Sequence, residues 1–393
     1  MSGGILNYTL KLTVLGPLFI GSGETLDKCD YVFYGRDKNS RGTVSVIDFE
    51  KMTADPKGRD ISEALMERFR LDGSENVILS EFFEKYKPKI EYKDYKPWIK
   101  YSYDTQPGDR VKNQIATIIK DSYGLPYVPG SSVKGALRNA VLNSVLLNSN
   151  EYGKIADSVA KERFDPRHSK QYLSDAANEI DIKAFHTRKR PDTDPKDMVN
   201  SIFSGLRIGD SKPIPIKQLT LCKKIDVFPK GASKSSCELP IYRECIKPET
   251  VIEFPVEIDT EIFKLKIDSG EIKLDAQAIC KCIRDMYDME AKRFYYKFPD
   301  FEKEKGTVLY IGGGSGFLSK TAVYSLYKDP KKALDVASVI LDNVDSKMFG
   351  VKIGKHLNDP RKYGVSPHTW KCTDYDGCEY DFGLCEVECI PIK

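Results

Sequence analysis

The segment YVPGSSVKGALR, residues 127–138, turns the chain from an extended path into a helix over one short turn, and that switch constrains the architecture more than any other feature. Pro129 and Gly130 end the extended run, and Ser131 and Ser132 stand where hydroxyls accept from the free amides of a new helix. Val133, Ala136, Leu137, Ala140 and Val141 give it one apolar face, so the pattern predicts a packed helix over 131–148. Its N-terminus presents unpaired N–H groups and partial positive charge. Lys134 and Arg138, four residues apart, leave one face near that end, so a docked phosphate would meet backbone donors and fixed charge together. The same residues equally describe an ordinary capped helix with solvated basic side chains, and the segment alone does not separate the two.

A strand-to-glycine-loop switch occurs at both ends of the chain. Near the start, ILNYTLKLTVL (residues 5–15) alternates as a strand and then breaks at Gly16, Pro17, Gly21 and Gly23. Late in the chain, TVLYIGGGSGFLSKTAVYSLY reads as strand, glycine loop and helix, with Lys320 just inside the helix. Gly312, Gly313, Gly314 and Gly316 let that backbone take positive φ and approach another molecule closely. The string is neither GxGxxG nor GxxxxGK[ST], so no dinucleotide or nucleotide-triphosphate cofactor is indicated. A tight packing turn and a cradle for phosphate or ribose both remain open.

Between these switches strands and helices are interspersed, which indicates an α+β class. YVFYG at 31–35 is a second strand, and the stretch 48–123 has the character of an insertion, with ISEALMERFRL and SEFFEKYK in helical period. Within it, KPKIEYKDYKPWIKYSY interleaves lysines with Tyr86, Tyr92, Tyr95, Trp98, Tyr101 and Tyr103. Cations beside aromatic faces suit single-stranded RNA, but an exposed hairpin edged by lysines has the same composition. A second charged insertion spans 149–204 and contains HTRKRPDTDP, expected as a mobile surface segment. Extended runs on either side of residues 229–237 predict a long hairpin, and Ile279, Ile283, Met286, Met289 and Ala291 mark the packed face of a helix over 275–296. The expected division is 1–211 and 212–393.

No apolar run approaches membrane-spanning length and the start lacks a signal-peptide pattern, so a soluble, cytoplasmic protein is expected. Sixty-one basic against fifty-eight acidic residues leave a formal charge of +3, so any nucleic-acid surface must be local. Ten cysteines are too sparse for a disulfide scaffold. Cys372, Cys378, Cys385 and Cys389 cluster in the tail without a CxxC knuckle; no metal site is assigned, and Cys385 is expected in a terminal strand. Of four histidines, His168 and His186 fall in the second insertion, His356 follows a helix end, and His368 lies in SPHTWK without a nucleophile or base nearby in sequence.

Taken together, PYVPGSSVKGALR and the late IGGGSGF loop resemble the RAMP superfamily of CRISPR-associated RNA-binding proteins. The ordered series VLGPLFIGSGE, GLRIGDS, YRECIKPET, IGGGSGFLSKT, VSPHTWKCT and GLCEVE is most similar to the fifth-subunit family of the type III-A Csm effector complex. The resemblance implies ferredoxin-like, RNA-recognition-type domains with helical insertions, and it makes the 229–237 hairpin a thumb-like element. It further implies a non-catalytic subunit that caps the backbone filament, holds the 3′ part of the CRISPR RNA and supports its maturation. Partners would be CRISPR RNA, other Csm subunits and target RNA. On that reading Gly21, Gly23, Ser131, Ser132, Lys134, Arg138, Gly312, Gly313, Gly314, Gly316 and Lys320 contact RNA, through phosphate and sugar. A related ribonuclease would instead cut from a loop aspartate, for which Asp27 and Asp30 are the candidates. A capping RAMP subunit of another type III complex is the remaining alternative.

Overall fold

The computed structural model describes residues 4–35, 40–169, 171–188, 190–267, 270–349 and 362–392. Among the described residues five strands form one antiparallel sheet, in the spatial order Val308–Tyr310, Leu384–Pro391, Ile5–Val14, Val251–Asp259 and Leu206–Ile208. Period-two alternation puts Leu10, Leu12 and Val14 inside, with Ile252, Phe254, Val256 and Ile258 beside them. The helices Gly130–Asn148 and Ala276–Arg293 lie against each other. They bury Val133, Leu137, Ala140 and Val141 from the first and Ile279, Ile283, Met286 and Met289 from the second, and both sets belong to the main core with the sheet's inner face. The predicted apolar stripes are therefore core faces.

A second, mixed sheet runs Gly21–Leu26, Ile115–Ile118, Ser236–Ile246, Leu219–Val227, Ile99–Pro107, Arg41–Ile47 and Tyr31–Tyr34, with Trp370–Tyr375 and Cys378–Asp381 branching from Leu219–Val227. The expected hairpin is present: Val227 faces Ser236, and the pairing continues to Leu219 opposite Ile246. Strands from both sides of residue 211 share each sheet. Gly21 and Gly23, expected in a loop, lie on an outer strand of this sheet that is bulged between Gly21 and Thr25.

The stretch 48–123 corrects two expectations. Its helices, Phe49–Ala54, Pro56–Asp72, Leu79–Lys85 and Tyr92–Tyr95, pack their own small core around Met52, Leu65, Phe83, Tyr95 and Trp98. Its last residues form two strands of the second sheet and are not inserted at all. In the lysine–aromatic series the rings turn largely inward while the lysines stay exposed. Trp98 is buried and donates from Nε1 to Asp55 Oδ2 at 2.9 Å, Tyr103 is buried, and Tyr101 donates to Glu244 Oε1 at 2.8 Å. Of these rings Tyr92 alone is largely exposed. HTRKRPDTDP is likewise tied to the fold: the His186 ring has 2% of its side chain exposed and meets Asp181 at 3.4 Å and the Pro195 carbonyl at 2.9 Å. No helix among the described residues is long and apolar enough to cross a membrane.

Candidate functional site

The helix Gly130–Asn148 begins differently from expectation. Its N-cap is Pro129, and no side chain within the segment caps it, so Ser131 and Ser132 do not supply the predicted hydroxyl acceptors. The acceptor comes from the GLRIGDS segment: Gly130 N donates to Asp210 Oδ1 at 2.8 Å, and Val128 N to Ser211 Oγ at 2.9 Å. Asp210 thus brings a carboxylate to the positive end of the helix. Only glycine fits at 130, because a Cβ there would lie 2.3 Å from the Ile208 carbonyl oxygen. Ser131 is exposed and Ser132 half-buried.

The two cations of this segment are engaged within the chain. Lys134 Nζ donates to the Leu206 carbonyl at 2.7 Å, and burial lowers its pKa, helped by the nearby Arg138 and Arg207. Arg138 pairs with Asp181 at 2.5 Å and lies over the rings of Phe185 and Phe203, 4.7 Å and 5.5 Å from their centroids. It anchors the second insertion to the helix. Further along, Asn139 donates to the Ser319 carbonyl at 2.9 Å, and Ser325 Oγ bonds Asn143 Oδ1 at 2.6 Å, tying this helix to the late glycine loop.

That loop meets the first glycine turn around Phe19. Gly313 N donates to the Phe19 carbonyl at 2.8 Å, Ile311 N to Gly383 O at 2.8 Å, and Gly383 N to Pro17 O at 3.0 Å. Gly312 has φ +81°, and a Cβ there would sit 2.2 Å from the Phe19 oxygen. Gly313 lies against Phe19, Gly314 against Phe382 and Gly316 against Lys371, while Gly21 abuts the Phe19 ring. Packing accounts for the missing side chains at these positions. Gly23 is different, with φ +91° and open space around it. Lys320 is exposed but closes the 3-10 turn Leu318–Lys320; the following α-helix begins only at Val323. Gly21 and Gly312–Gly316 therefore converge on one junction, while Ser131, Ser132, Lys134 and Arg138 form a separate cluster joined to it through Asn139.

The junction rests on a strand that residue-by-residue reading did not single out. YRECIKPET supplies Arg243, whose guanidinium is 5.6 Å from the Phe19 ring centroid and 5.4 Å from that of Phe382. Beside it, the fully buried Glu244 accepts from Ile118 N at 3.0 Å, Tyr101 OH at 2.8 Å and Lys120 Nζ at 2.5 Å. The neighbouring charge and burial push the Tyr101 hydroxyl far above its ordinary value, burial contributing most. An Arg–Glu pair inside a strand, RE within YRECIKP, was the available signal.

The outer face of the five-stranded sheet does not resemble an RNA-stacking platform. Lys11 is flanked by Glu253 and Glu388, Asn7 by Glu257 and Thr13 by Glu386, with Arg207 paired to Glu257 at 2.9 Å. The face carries acid and no stacking aromatic ring at these positions, and so it disfavours a phosphate backbone.

Asp27 and Asp30 close a local turn: Asp30 Oδ2 accepts from Asp27 N at 2.7 Å, and Asp27 Oδ1 from Gln114 Nε2 at 2.5 Å. Burial raises the Asp30 pKa. His368 faces Phe228 across 6.5 Å between ring centroids; His356 lies outside the described residues. Cys372 and Cys385 are buried on separate strands, with Cys385 in the expected terminal strand, and Cys378 is exposed. Among the described residues no group of three or more histidine, cysteine or acidic side chains is placed to hold a metal ion.

The chain matches the RAMP superfamily model over residues 11–362. It is 30% identical over 397 aligned positions to the CRISPR system Cms protein Csm5 of Mycobacterium tuberculosis, covering 97% of this chain and 96% of the relative. The Csm5 of Enterococcus italicus is 26% identical, with 98% of each chain covered. Among solved structures, a chain of a cryo-EM Csm–crRNA–target RNA ternary complex from a type III-A CRISPR-Cas system superposes with a TM-score of 0.59 at 20% identity, over 97% of this chain and 100% of that one. The crystal structure of T. onnurineus Csm5 gives 0.57 at 18% identity, over 96% and 99%. With a family model covering most of its length and a full-length relative at that identity, the chain belongs to the RAMP superfamily, as a member of the Csm5 family of type III CRISPR subunits.

Proposed function

We propose that this protein is a non-catalytic CRISPR RNA-binding subunit that caps the filament of a type III-A Csm interference complex at the 3′ end of the CRISPR RNA and supports maturation of that end. The observation that carries the reading is the end-to-end correspondence with Csm5 chains, with no large part of either left over. Its partners are CRISPR RNA, the backbone filament subunit and other Csm proteins, and target RNA in the assembled complex, in parallel with the complex that contains the structural relative. The RNA contacts are assigned to the two glycine turns, the start of the helix Gly130–Asn148 and Lys320, with Gly23 and Ser131 as their most open members.

The hydrogen bonds that occupy Asp27 and Asp30 support a role in shaping a turn over one in cutting RNA. The test is reconstitution with the Csm backbone subunits and a precursor CRISPR RNA. A complex built with this chain should carry RNA trimmed at its 3′ end and should cut complementary RNA with the same products when Asp27→Ala and Asp30→Ala are introduced. Loss of one cleavage product in those variants moves the assignment to a RAMP endoribonuclease. Assembly with the backbone of a different type III system, and not with Csm subunits, makes it a capping subunit of that system.

A further inference from the structure

Arg243 lies where the two glycine turns meet, and its charge is unmatched. The guanidinium is held against the faces of Phe19 and Phe382, Nη1 is enclosed without a hydrogen-bond acceptor, and the residue as a whole stays partly exposed. Neighbouring half-buried cations of the same sheet are all paired: Lys120 with Glu244 at 2.5 Å, Lys223 with Asp109 at 3.1 Å, Lys371 with Asp226 at 2.8 Å. No ion pair to Arg243 occurs among the described residues. Leaving a desolvated guanidinium without an anion costs free energy, which contact with ring faces offsets only in part.

The surroundings are positive as well. Pairing places Arg243 opposite Cys222 and Lys371 opposite Asp226 on the strand Leu219–Val227, and Lys224 stands between those positions. Two of these three cations, Lys371 and Lys224, share the one carboxylate of Asp226, which Lys224 reaches at 3.4 Å, and Arg243 has no ion pair to it. Lys371 in turn touches the position of Gly316, and Phe382, one of the two rings against Arg243, touches that of Gly314, so the cluster adjoins the late glycine loop.

We propose that Arg243 is a phosphate-binding residue whose open edge holds one backbone phosphate of single-stranded RNA at the junction of the glycine turns, with Lys371 and Lys224 supplying the surrounding field. The assignment rests on the RNA-binding reading above and adds a residue to it. A planar fork fixed by two rings loses little freedom on meeting a phosphate, and it reads no base, as a subunit holding variable RNA requires.

The test uses the full chain, R243M and R243K, with a mixed-sequence single-stranded oligoribonucleotide titrated at several salt concentrations. R243M keeps length and ring contact but removes charge. It should bind about tenfold more weakly for every sequence tried, with a salt slope shallower by roughly 0.7, while its Tm holds or rises because an unmatched buried charge is gone. R243K should retain the slope and part of the affinity. Unchanged affinity and slope in R243M overturn the assignment, as does a fall in Tm with the slope unaltered at temperatures where both proteins are folded; either makes Arg243 a packing residue. If R243M binds RNA normally but no longer joins the other Csm subunits, the anion is a protein carboxylate and the assignment also falls. Absence of RNA binding by the unaltered chain defeats the functional reading itself, a result distinguishable from equal binding by both forms.

Discussion

Single residues show how sharply this fold separates matched from unmatched charge. Glu244 is fully buried yet accepts three hydrogen bonds, so Glu244→Ala strands Lys120 beside Tyr101 and should cost roughly 3–5 kcal/mol in denaturant unfolding. Glu290 is the opposite case, 1% exposed and with Oε2 unbonded, and burial pushes its pKa up from 4.5 to about 8. Between those values the unfolded chain releases a proton that the folded chain keeps, so stability falls as pH rises across that window and levels off above it. Glu290→Gln should flatten this decline and leave the protein roughly 1–3 kcal/mol more stable at pH 8, as measured by urea unfolding at several pH values. Which cations are free was not legible in sequence. Arg138 reads as a solvated helix residue, but its partner Asp181 and its ring contacts come from a segment that no local pattern places there.

At the level of elements, the glycine turns carry a direct comparison. Gly312→Ala and Gly23→Ala both force an alanine into positive φ, but only at 312 would the new Cβ strike backbone, 2.2 Å from the Phe19 oxygen. Gly23→Ala should therefore cost roughly 1–2 kcal/mol, and Gly312→Ala more than that, with the Gly313-to-Phe19 hydrogen bond lost; thermal unfolding of the two variants side by side decides it. Element type was widely legible: the strand Ile5–Val14, the helices Gly130–Asn148 and Ala276–Arg293, and the hairpin about 229–237 all follow from periodicity and turn residues. Partnership was not. Ser131 and Ser132 look like caps because capping is judged from adjacent residues, while the acceptor that reaches Gly130 is Asp210, supplied from another part of the chain. The lysine–aromatic run misled for the same reason: Tyr95 and Trp98 face a core made by residues such as Met52 and Leu65, and Tyr103 sits on an interior strand.

For the whole molecule, the charge layout sets an acidic sheet face apart from the cations at the glycine junction. Phosphate is disfavoured on the acidic outer face of the five-stranded sheet, so Glu253→Gln with Glu388→Gln should leave RNA affinity within about twofold, whereas substitutions at the glycine junction should lower it; parallel RNA titrations check the contrast. Topology was the least legible property, since nothing local says that Ile5–Val14 pairs with Leu384–Pro391 on one side and Val251–Asp259 on the other. That pairing has a consequence in time. As the chain leaves the ribosome, its first strand waits for one that is made hundreds of residues later, and Gly383, which bonds both Pro17 and Ile311, arrives with it. The junction of the glycine turns is thus completed only once Gly383 has been made, so a chain terminated before that residue lacks the surface proposed to hold RNA.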